Sequence, residues 1–147
     1  MFCNPTDRRT GSADYGGRPL VINIDRATKA NPNFRTALWT GEYLQVTLMC
    51  IPVGGDIGLE IHEDTDQFLR VEAGCATVKM GKNQHCMEEY RRVDGDYAIL
   101  VPAGTWHNVI NSGNVPLKIY SIYAPPHHPF GTVQRTRQDA EREERRH

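Results

Sequence analysis

The sequence has neither a strong excess of charge of one sign nor a long hydrophobic run, and both absences narrow the possible functions. Its 17 lysines and arginines nearly balance 18 aspartates and glutamates, which gives a net charge of −1. A chain without a basic excess has no electrostatic footprint for nucleic acid, so we expect no nucleic-acid partner. No apolar segment is long enough to span a bilayer, and none near the first residue resembles a secretory signal. We therefore expect no membrane partner.

The sequence contains only four cysteines, and none of them are spaced as a metal-binding pair. Cys3, Cys50, Cys75 and Cys86 lack the C-x2-C spacing of a structural zinc site. We interpret them as reduced thiols, which predicts a cytoplasmic protein. The 147 residues suffice for one domain with a single core, and no internal repeat is evident.

Short segments separated by turn residues fill the middle of the chain, and several of them alternate between apolar and polar residues. The predicted strands are 20–24, 43–51, 67–71, 75–80, 97–101 and 117–124, and 86–93 includes another short strand. Many short strands at this spacing indicate an all-β fold, either an antiparallel β-barrel or a jelly roll. We assign 20–130 to the barrel, with 25–36 as a connection, and 1–19 to a flexible N-terminal arm. Residues 131–147 form a charged tail, either a short solvated helix or a plain polar terminus.

The segment GLEIHEDTDQFLRVEAG, residues 58–74, carries the first candidate site residues. On a strand, Glu60 and His62 would share one face, because successive side chains point to opposite sides. Residues 63–66 are turn formers, after which Gln67 begins a second alternating stretch. A hairpin would place Gln67 across from the Glu60–His62 pair. The alternative interpretation is that Glu60 and His62 are exposed residues beside an acidic loop.

A second segment, DGDYAILVPAGTWHNVIN, supplies His107 and completes a pair of motifs. It follows the order of the second cupin motif, G-x5-P-x-G-x2-H-x3-N, with one extra residue before the proline. The matching residues are Gly95, Pro102, Gly104, His107 and Asn111. In the first cupin motif, G-x5-H-x-H-x(3,4)-E-x6-G, His62 and Gly74 match, whereas Glu60 and Gln67 replace a histidine and the glutamate. Over its central two thirds, the chain resembles the cupin superfamily, whose small members are likened to mannose-6-phosphate isomerase.

The resemblance implies an antiparallel cupin barrel in which Glu60, His62, Gln67 and His107 hold a divalent metal ion. Two imidazoles, a carboxylate and an amide oxygen suit manganese, iron, nickel, zinc or cobalt. The two oxygen ligands favour Mn²⁺ first and Fe²⁺ second, although the order of affinity would let Ni²⁺ or Zn²⁺ occupy purified protein. With one negative charge from Glu60, the loaded site stays cationic and should attract an anionic or enediol-like ligand.

Two functional hypotheses follow from this site. An enzyme would use the metal as a Lewis acid or to bind dioxygen, and would act on a small polar molecule as an isomerase or a dioxygenase. An isomerase acting on sugar phosphates needs a cationic contact, for which only Arg70 and Lys79 lie near the site in sequence. A dioxygenase needs an apolar pocket, and the candidates to line it are Met49, Leu69, Val71 and Ile99. The alternative is a non-catalytic cupin that binds metal or a small ligand as a sensor, carrier or storage protein.

Other expectations concern the surroundings of the site. The resemblance implies a homodimer, with segment 20–24 as an edge strand or an exchanged arm. His127 and His128 are either surface residues or part of a lid over the barrel mouth. Gln45 and Thr47 would enter the pocket only if their strand face is interior.

Overall fold

The structure, a computed structural model, describes residues 14–146, and the nine strands in this part of the chain form two antiparallel sheets. The strands are β1 (Arg35–Thr40), β2 (Gln45–Ile51), β3 (Asp66–Ala73), β4 (Ala76–Asn83), β5 (Cys86–Val93), β6 (Ala98–Val101), β7 (Trp106–Asn111), β8 (Leu117–Ala124) and β9 (Val133–Gln134). The helices are α1 (Ile24–Ala30) and α2 (Arg137–Arg146). One sheet has the order β6-β3-β8-β2-β1-β9 and the other β5-β4-β7. The predicted all-β jelly roll with a short C-terminal helix is confirmed.

The interior face of the larger sheet is polar at one end and apolar at the other. Gln45, Tyr123 and Gln67 lie side by side on β2, β8 and β3, and Thr47 lies beside Ser121 in the next row. All five are buried, so the strand face that carries Gln45 and Thr47 is interior. The apolar interior side chains include the four proposed as pocket lining, namely Met49, Leu69, Val71 and Ile99. The polar end of the barrel is therefore where chemistry can take place.

The extended segment that carries Glu60 pairs with β7 and not with β3, so the hairpin considered from the sequence does not form. The Glu60 N–H donates to the His107 carbonyl at 3.0 Å, and the His107 N–H donates to the Glu60 carbonyl at 2.9 Å. Strand β3 has no free edge for this segment, because β6 and β8 occupy its two sides. The turn at residues 63–65 instead carries the chain from one sheet to the other.

Segment 20–24 does not form the predicted strand, because helix α1 begins at Ile24. Asn23 caps this helix, and its side-chain oxygen accepts a backbone N–H of the first turn at 3.0 Å. Ala27 of the helix packs in an apolar cluster with Leu38 and Leu48 of the larger sheet. The cap and this packing outweigh the β-propensity of the Leu-Val-Ile run. The stretch 25–36, predicted to be only a connection, thus contains most of a helix and the first residues of β1.

The charged tail forms helix α2. Thr136 caps it, since its hydroxyl accepts the Asp139 N–H at 3.1 Å and its own N–H donates to the Asp139 carboxylate at 3.3 Å. Ala140 is buried in the main core cluster, so one face of this polar helix packs on the barrel. The sequence predicted little apolar face for the tail, and in the structure Ala140 supplies the buried apolar contact of this helix.

The N-terminal arm was predicted for residues 1–19, and residues 1–13 lie outside the described residues. From Asp14 onward the chain lies against β1. The Asp14 carboxylate accepts hydrogen bonds from the Thr40 N–H at 3.0 Å, the Thr40 hydroxyl at 2.7 Å and the Gly131 N–H at 2.8 Å. Cys50, Cys75 and Cys86 are free thiols. Within residues 14–146, neither helix has the length and apolar character needed to cross a membrane.

Candidate metal centre

Three side chains from two segments converge at the polar end of the barrel. Glu60 and His62 come from the extended segment before β3, and His107 comes from β7. One potential ligand atom of each lies within 4.8 Å of the other two. The Nε2 atoms of His62 and His107 lie 3.3 Å and 3.4 Å from the same atom, Glu60 Oε1. The three donor atoms are thus close enough together to bind one ion.

The backbone fixes these side chains relative to one another. Glu60 and His107 are direct cross-strand partners, so their side chains emerge side by side. Gly104 donates its N–H to the His62 carbonyl at 2.8 Å, which anchors the end of the first segment to the turn before β7. Gly104 has φ 79°, a backbone conformation that glycine adopts without steric cost. The glycine of the second motif is therefore needed for the turn that brings the two histidines together.

The ring of His107 is oriented by its second nitrogen. His107 Nδ1 lies 3.0 Å from the Thr105 carbonyl oxygen, which can only accept, so Nδ1 carries the proton. Nε2 then has a free lone pair, and this atom is buried without a hydrogen-bond partner. A second hydrogen bond that sets the tautomer in this way is typical of metal-ligating histidines.

Gln67 approaches from the interior face of the larger sheet. Its Nε2 donates to Ser121 Oγ at 2.7 Å, which orients the amide. Its Oε1 is buried and has no hydrogen-bond partner. Gln67 thus presents an unsatisfied acceptor inside the barrel, as His107 does.

Two opposing effects set the pKa of Glu60. Burial alone would raise it, but the adjacent imidazoles of His107 and His62 and the positive charge of Arg35 outweigh burial and hold the pKa well below its usual range. Glu60 is therefore ionised at neutral pH. It supplies the negative charge that a cation between two imidazoles requires.

The side chains present fit a divalent metal ion. Two imidazoles and one carboxylate form a borderline-to-hard donor set without sulfur. A buried acceptor without a partner costs roughly 1–3 kcal/mol, and both His107 and Gln67 carry such an acceptor. A cation held by Glu60, His62 and His107 would satisfy the His107 acceptor.

Residues 125–129, which we call the strap, cross the mouth of this site. Gln45 holds the strap by its backbone: Oε1 accepts from the N–H groups of His127 at 3.2 Å and His128 at 2.9 Å, and Nε2 donates to the His128 carbonyl at 2.8 Å. The exposed His127 ring lies 4.2 Å from the His62 ring, measured between centroids. The two histidines that follow β8 therefore lie over the site and do not point away from it.

Tyr123 and His128 form a layer beneath His127. The Tyr123 ring is fully buried and lies 5.7 Å from the His62 ring. Burial raises the pKa of Tyr123, so its hydroxyl stays protonated. Burial and the positive charge of Arg35 lower the pKa of His128 to about 2, which keeps this imidazole neutral. The side chains beneath His127, Tyr123 and His128, are therefore both polar and uncharged.

Arg35 is the residue near the site that sequence reasoning missed. Its side chain is buried on β1, and Nη1 donates to Gln134 Oε1 at 2.6 Å. The two basic residues chosen from sequence point elsewhere: Arg70 pairs with Glu72 and Asp96, and Lys79 lies 3.8 Å from Glu89. Arg35 alternates with the buried Ala37, but this signal fell in a stretch interpreted as a connection.

Comparison with known proteins identifies the family. Residues 47–123, more than half of the chain, match the family model described as a cupin domain. The chain belongs to the cupin family. This cupin is 63% identical to the uncharacterized protein YrkC of Bacillus subtilis (strain 168) over 134 residues, which cover 91% of this chain and 72% of YrkC. It is 40% identical to the uncharacterized protein L612 of Acanthamoeba polyphaga mimivirus over 117 residues, 77% of this chain and 69% of L612.

A solved structure resembles this cupin along most of its length. The crystal structure of BH2720 from Bacillus halodurans is similar with a TM-score of 0.83 and 61% sequence identity. The match covers 88% of this chain and 98% of BH2720. The cupin barrel described here is therefore shared with an experimentally determined relative.

Proposed function

We propose that this cupin binds a divalent metal ion through Glu60, His62, Gln67 and His107 and acts through it on a small polar molecule. The observation that carries the proposal is the convergence of a carboxylate and two imidazoles within 4.8 Å at the polar end of the barrel. The unsatisfied acceptors on His107 and Gln67 support it independently. Mn²⁺ suits the two oxygen ligands best and Fe²⁺ next, whereas Ni²⁺ or Zn²⁺ could occupy purified protein.

The side chains of the protein would orient the metal ligands and exclude water from the site. When bound, the metal would supply Lewis acidity toward an oxygen atom of the ligand. The Thr105 carbonyl holds His107 in the ligating tautomer, and Ser121 holds the Gln67 amide. The strap places His127 at the mouth, where its exposed imidazole faces any molecule that enters past His62. Buried side chains behind the site keep water from the interior.

Two enzyme classes fit this arrangement, an isomerase and a dioxygenase. With Arg70 and Lys79 paired on the outside of the barrel, an anionic substrate would have to be recognised by another cation. Oxygen consumption with diols, flavonols and thiols tests the dioxygenase, and aldose–ketose interconversion tests the isomerase. Tight metal binding with no turnover in either panel would instead favour a non-catalytic metal or ligand carrier. The homodimer stays a prediction, which sedimentation velocity can measure.

The metal site itself is tested by elemental analysis. Protein loaded with Mn²⁺ and then desalted should contain close to one metal per chain. His62→Ala and His107→Ala should each lose this metal, because each removes an imidazole ligand, yet should keep the circular dichroism of the folded barrel. The matched control is His85→Ala, which removes an exposed histidine from the turn between β4 and β5. Full metal content in His107→Ala would contradict the proposal.

A further inference from the structure

Strand β5 is an open edge of the smaller sheet. Among residues 14–146 it pairs with β4 alone, because it stands at the end of the strand order β5-β4-β7. Every residue from Glu88 to Arg92 is exposed. The outer side of β5 therefore has backbone N–H and C=O groups with which another strand can pair.

The charges along this edge are arranged symmetrically about its central tyrosine. Residues 88–92 are Glu-Glu-Tyr-Arg-Arg, so two acidic residues precede Tyr90 and two basic residues follow it. When two copies of this strand pair antiparallel around Tyr90, the acidic half of each lies opposite the basic half of the other. Charged residues usually protect an edge strand from pairing. This order protects β5 from unmatched strands, yet it favours pairing with a second copy of itself.

We propose that β5 pairs with β5 of a second copy of this chain, antiparallel and with Tyr90 at the twofold axis, so that the two smaller sheets form one continuous sheet. The partner is a second copy because the charge order that complements this strand is the order of the strand itself. The surface is independent of the proposed function, since none of its residues is a proposed metal ligand.

A bulge in β5 turns both arginines to the outer face of the sheet. Tyr90 pairs with Val78 and Val93 pairs with Ala76, so two residues of β5 lie opposite one residue of β4. Ala76 and Val78 are buried, and directly opposite residues share a face, so their partners on β5 face the interior side. Alternation counted from either partner places the neighbouring arginine on the outer face. Arg92 has φ 62°, the left-handed backbone at this bulge.

On the outer face, the pairing extends a row of alternating charges. Within one copy, Lys79 of β4 lies opposite Glu89, with 3.8 Å between Lys79 Nζ and Glu89 Oε1. In the dimer, the partner's Arg91 lies opposite Glu89 on its other side. Each glutamate is then placed between cations of two strands, and the twofold axis repeats the contact. Opposite charges in direct cross-strand positions stabilise a sheet and like charges destabilise it, so the charges select this register.

Tyr90 supplies the apolar area at the centre of the contact. It is 44% exposed, and its hydroxyl donates to Glu88 Oε2 at 2.6 Å, which orients the ring along the strand. At the twofold axis the two Tyr90 rings lie directly opposite each other and form a cross-strand aromatic pair. Tyrosine is enriched among the residues that contribute most to binding at the centre of protein interfaces.

Charge reversal tests the pairing by sedimentation velocity. The wild type should sediment as a dimer at micromolar concentration. Glu89→Arg and Arg91→Glu should each weaken dimerisation by about tenfold or more, because the symmetry creates two like-charge contacts in each dimer. An equimolar mixture of the two variants should recover the dimer, since each residue then meets its opposite charge. The matched control is Arg26→Glu, which reverses an exposed arginine on α1 and should leave sedimentation unchanged.

Three results of this experiment would overturn the proposal. They are a dimer that neither reversal weakens, a mixture that stays monomeric while both variants are folded, and a wild type that is monomeric at every concentration. The last result would leave the edge of β5 open to a strand of a different protein.

A cross-link gives a second readout that does not depend on a reversed charge. Directly opposite residues of an antiparallel pair have Cα atoms about 4.5–5.5 Å apart, which is within the reach of a disulfide. In a background with Cys3→Ser and Cys86→Ser, Tyr90→Cys should therefore form a disulfide-linked dimer on mild oxidation. The matched control is His85→Cys, at the exposed turn far from the axis, which should stay uncrosslinked. A dimer that cross-links through position 85 and not through position 90 contradicts the proposed register and overturns the pairing.

Discussion

At the residue scale, each sheet orients one of the proposed metal ligands by a hydrogen bond. His107 donates a hydrogen bond from Nδ1–H to the Thr105 carbonyl, and Gln67 donates one from its amide N–H to Ser121 Oγ. In each case one polar atom is used for orientation, and the other is left buried and unsatisfied. Fixing a ligand before the metal arrives lowers the entropy lost on binding, and the cost is a less stable metal-free protein.

This cost predicts the behaviour of a variant with both partners replaced, Gln67→Leu with Ser121→Ala. The metal-free variant should be about as stable as the wild type or more stable, because it removes a buried, unsatisfied oxygen together with both members of the hydrogen bond. Its Mn²⁺ affinity should fall by about tenfold or more, because one ligand is lost. Urea denaturation of metal-free protein and metal titration measure the two effects.

The matched control is Ser121→Ala alone, which strands the Gln67 amide N–H and should cost roughly 1–3 kcal/mol. A double variant that loses more stability than this control while keeping its metal affinity would show that Gln67 is purely structural.

At the scale of elements, alternation and turn residues predicted individual strands well. Residues 117–124 were predicted as a strand and form β8 with those bounds, and 86–93, predicted to include a short strand, form β5 along their whole length. Pairing was less predictable, because alternation says which face a residue occupies and not which strand lies beside it. The segment with Glu60 was therefore paired with β3 in the prediction, whereas it pairs with β7 in the structure.

The candidate site was predictable where a motif fixed both residue type and spacing. His62 and His107 match the two cupin motifs, and Glu60 shares the face of His62. Arg35 lies outside both motifs, so its approach to the site depends on how β1 packs beside β2. No spacing rule encodes a contact between residues so far apart in sequence.

The strap allows a prediction that concerns a structural segment and its hydrogen bonds, not a metal ligand. Gln45 forms three hydrogen bonds to its backbone and one to Thr40 Oγ1 at 3.0 Å. Gln45→Ala should release the strap and lower the free energy of unfolding by on the order of 4 kcal/mol, since each of the four hydrogen bonds contributes about 1 kcal/mol. Hydrogen exchange should accelerate at the amides of His127 and His128.

Asn83→Ala, which removes an exposed amide at the end of β4, is the matched control and should leave strap exchange unchanged. If Gln45→Ala lowers global stability while both strap amides stay protected, Gln45 supports the core and does not hold the strap.

At the scale of the whole molecule, the proposed metal lies between the two sheets. His107 belongs to the smaller sheet and Glu60 is bridged to it, whereas Gln67 belongs to the larger sheet. An ion held by both would be a link between layers that otherwise meet through apolar packing. Metal binding should therefore raise the free energy of unfolding of the entire barrel.

Calorimetric unfolding with and without Mn²⁺ tests this link. A ligand that binds only the folded state adds about 2.7 kcal/mol at a hundredfold excess over its Kd, which is a rise in Tm of roughly 5–10 °C for a chain of this size. His107→Ala and Gln67→Leu, one from each sheet, should both reduce the rise, because each takes a ligand from one layer. A rise that survives His107→Ala would place the metal elsewhere, and a rise lost in His107→Ala but complete in Gln67→Leu would confine the ion to the smaller sheet.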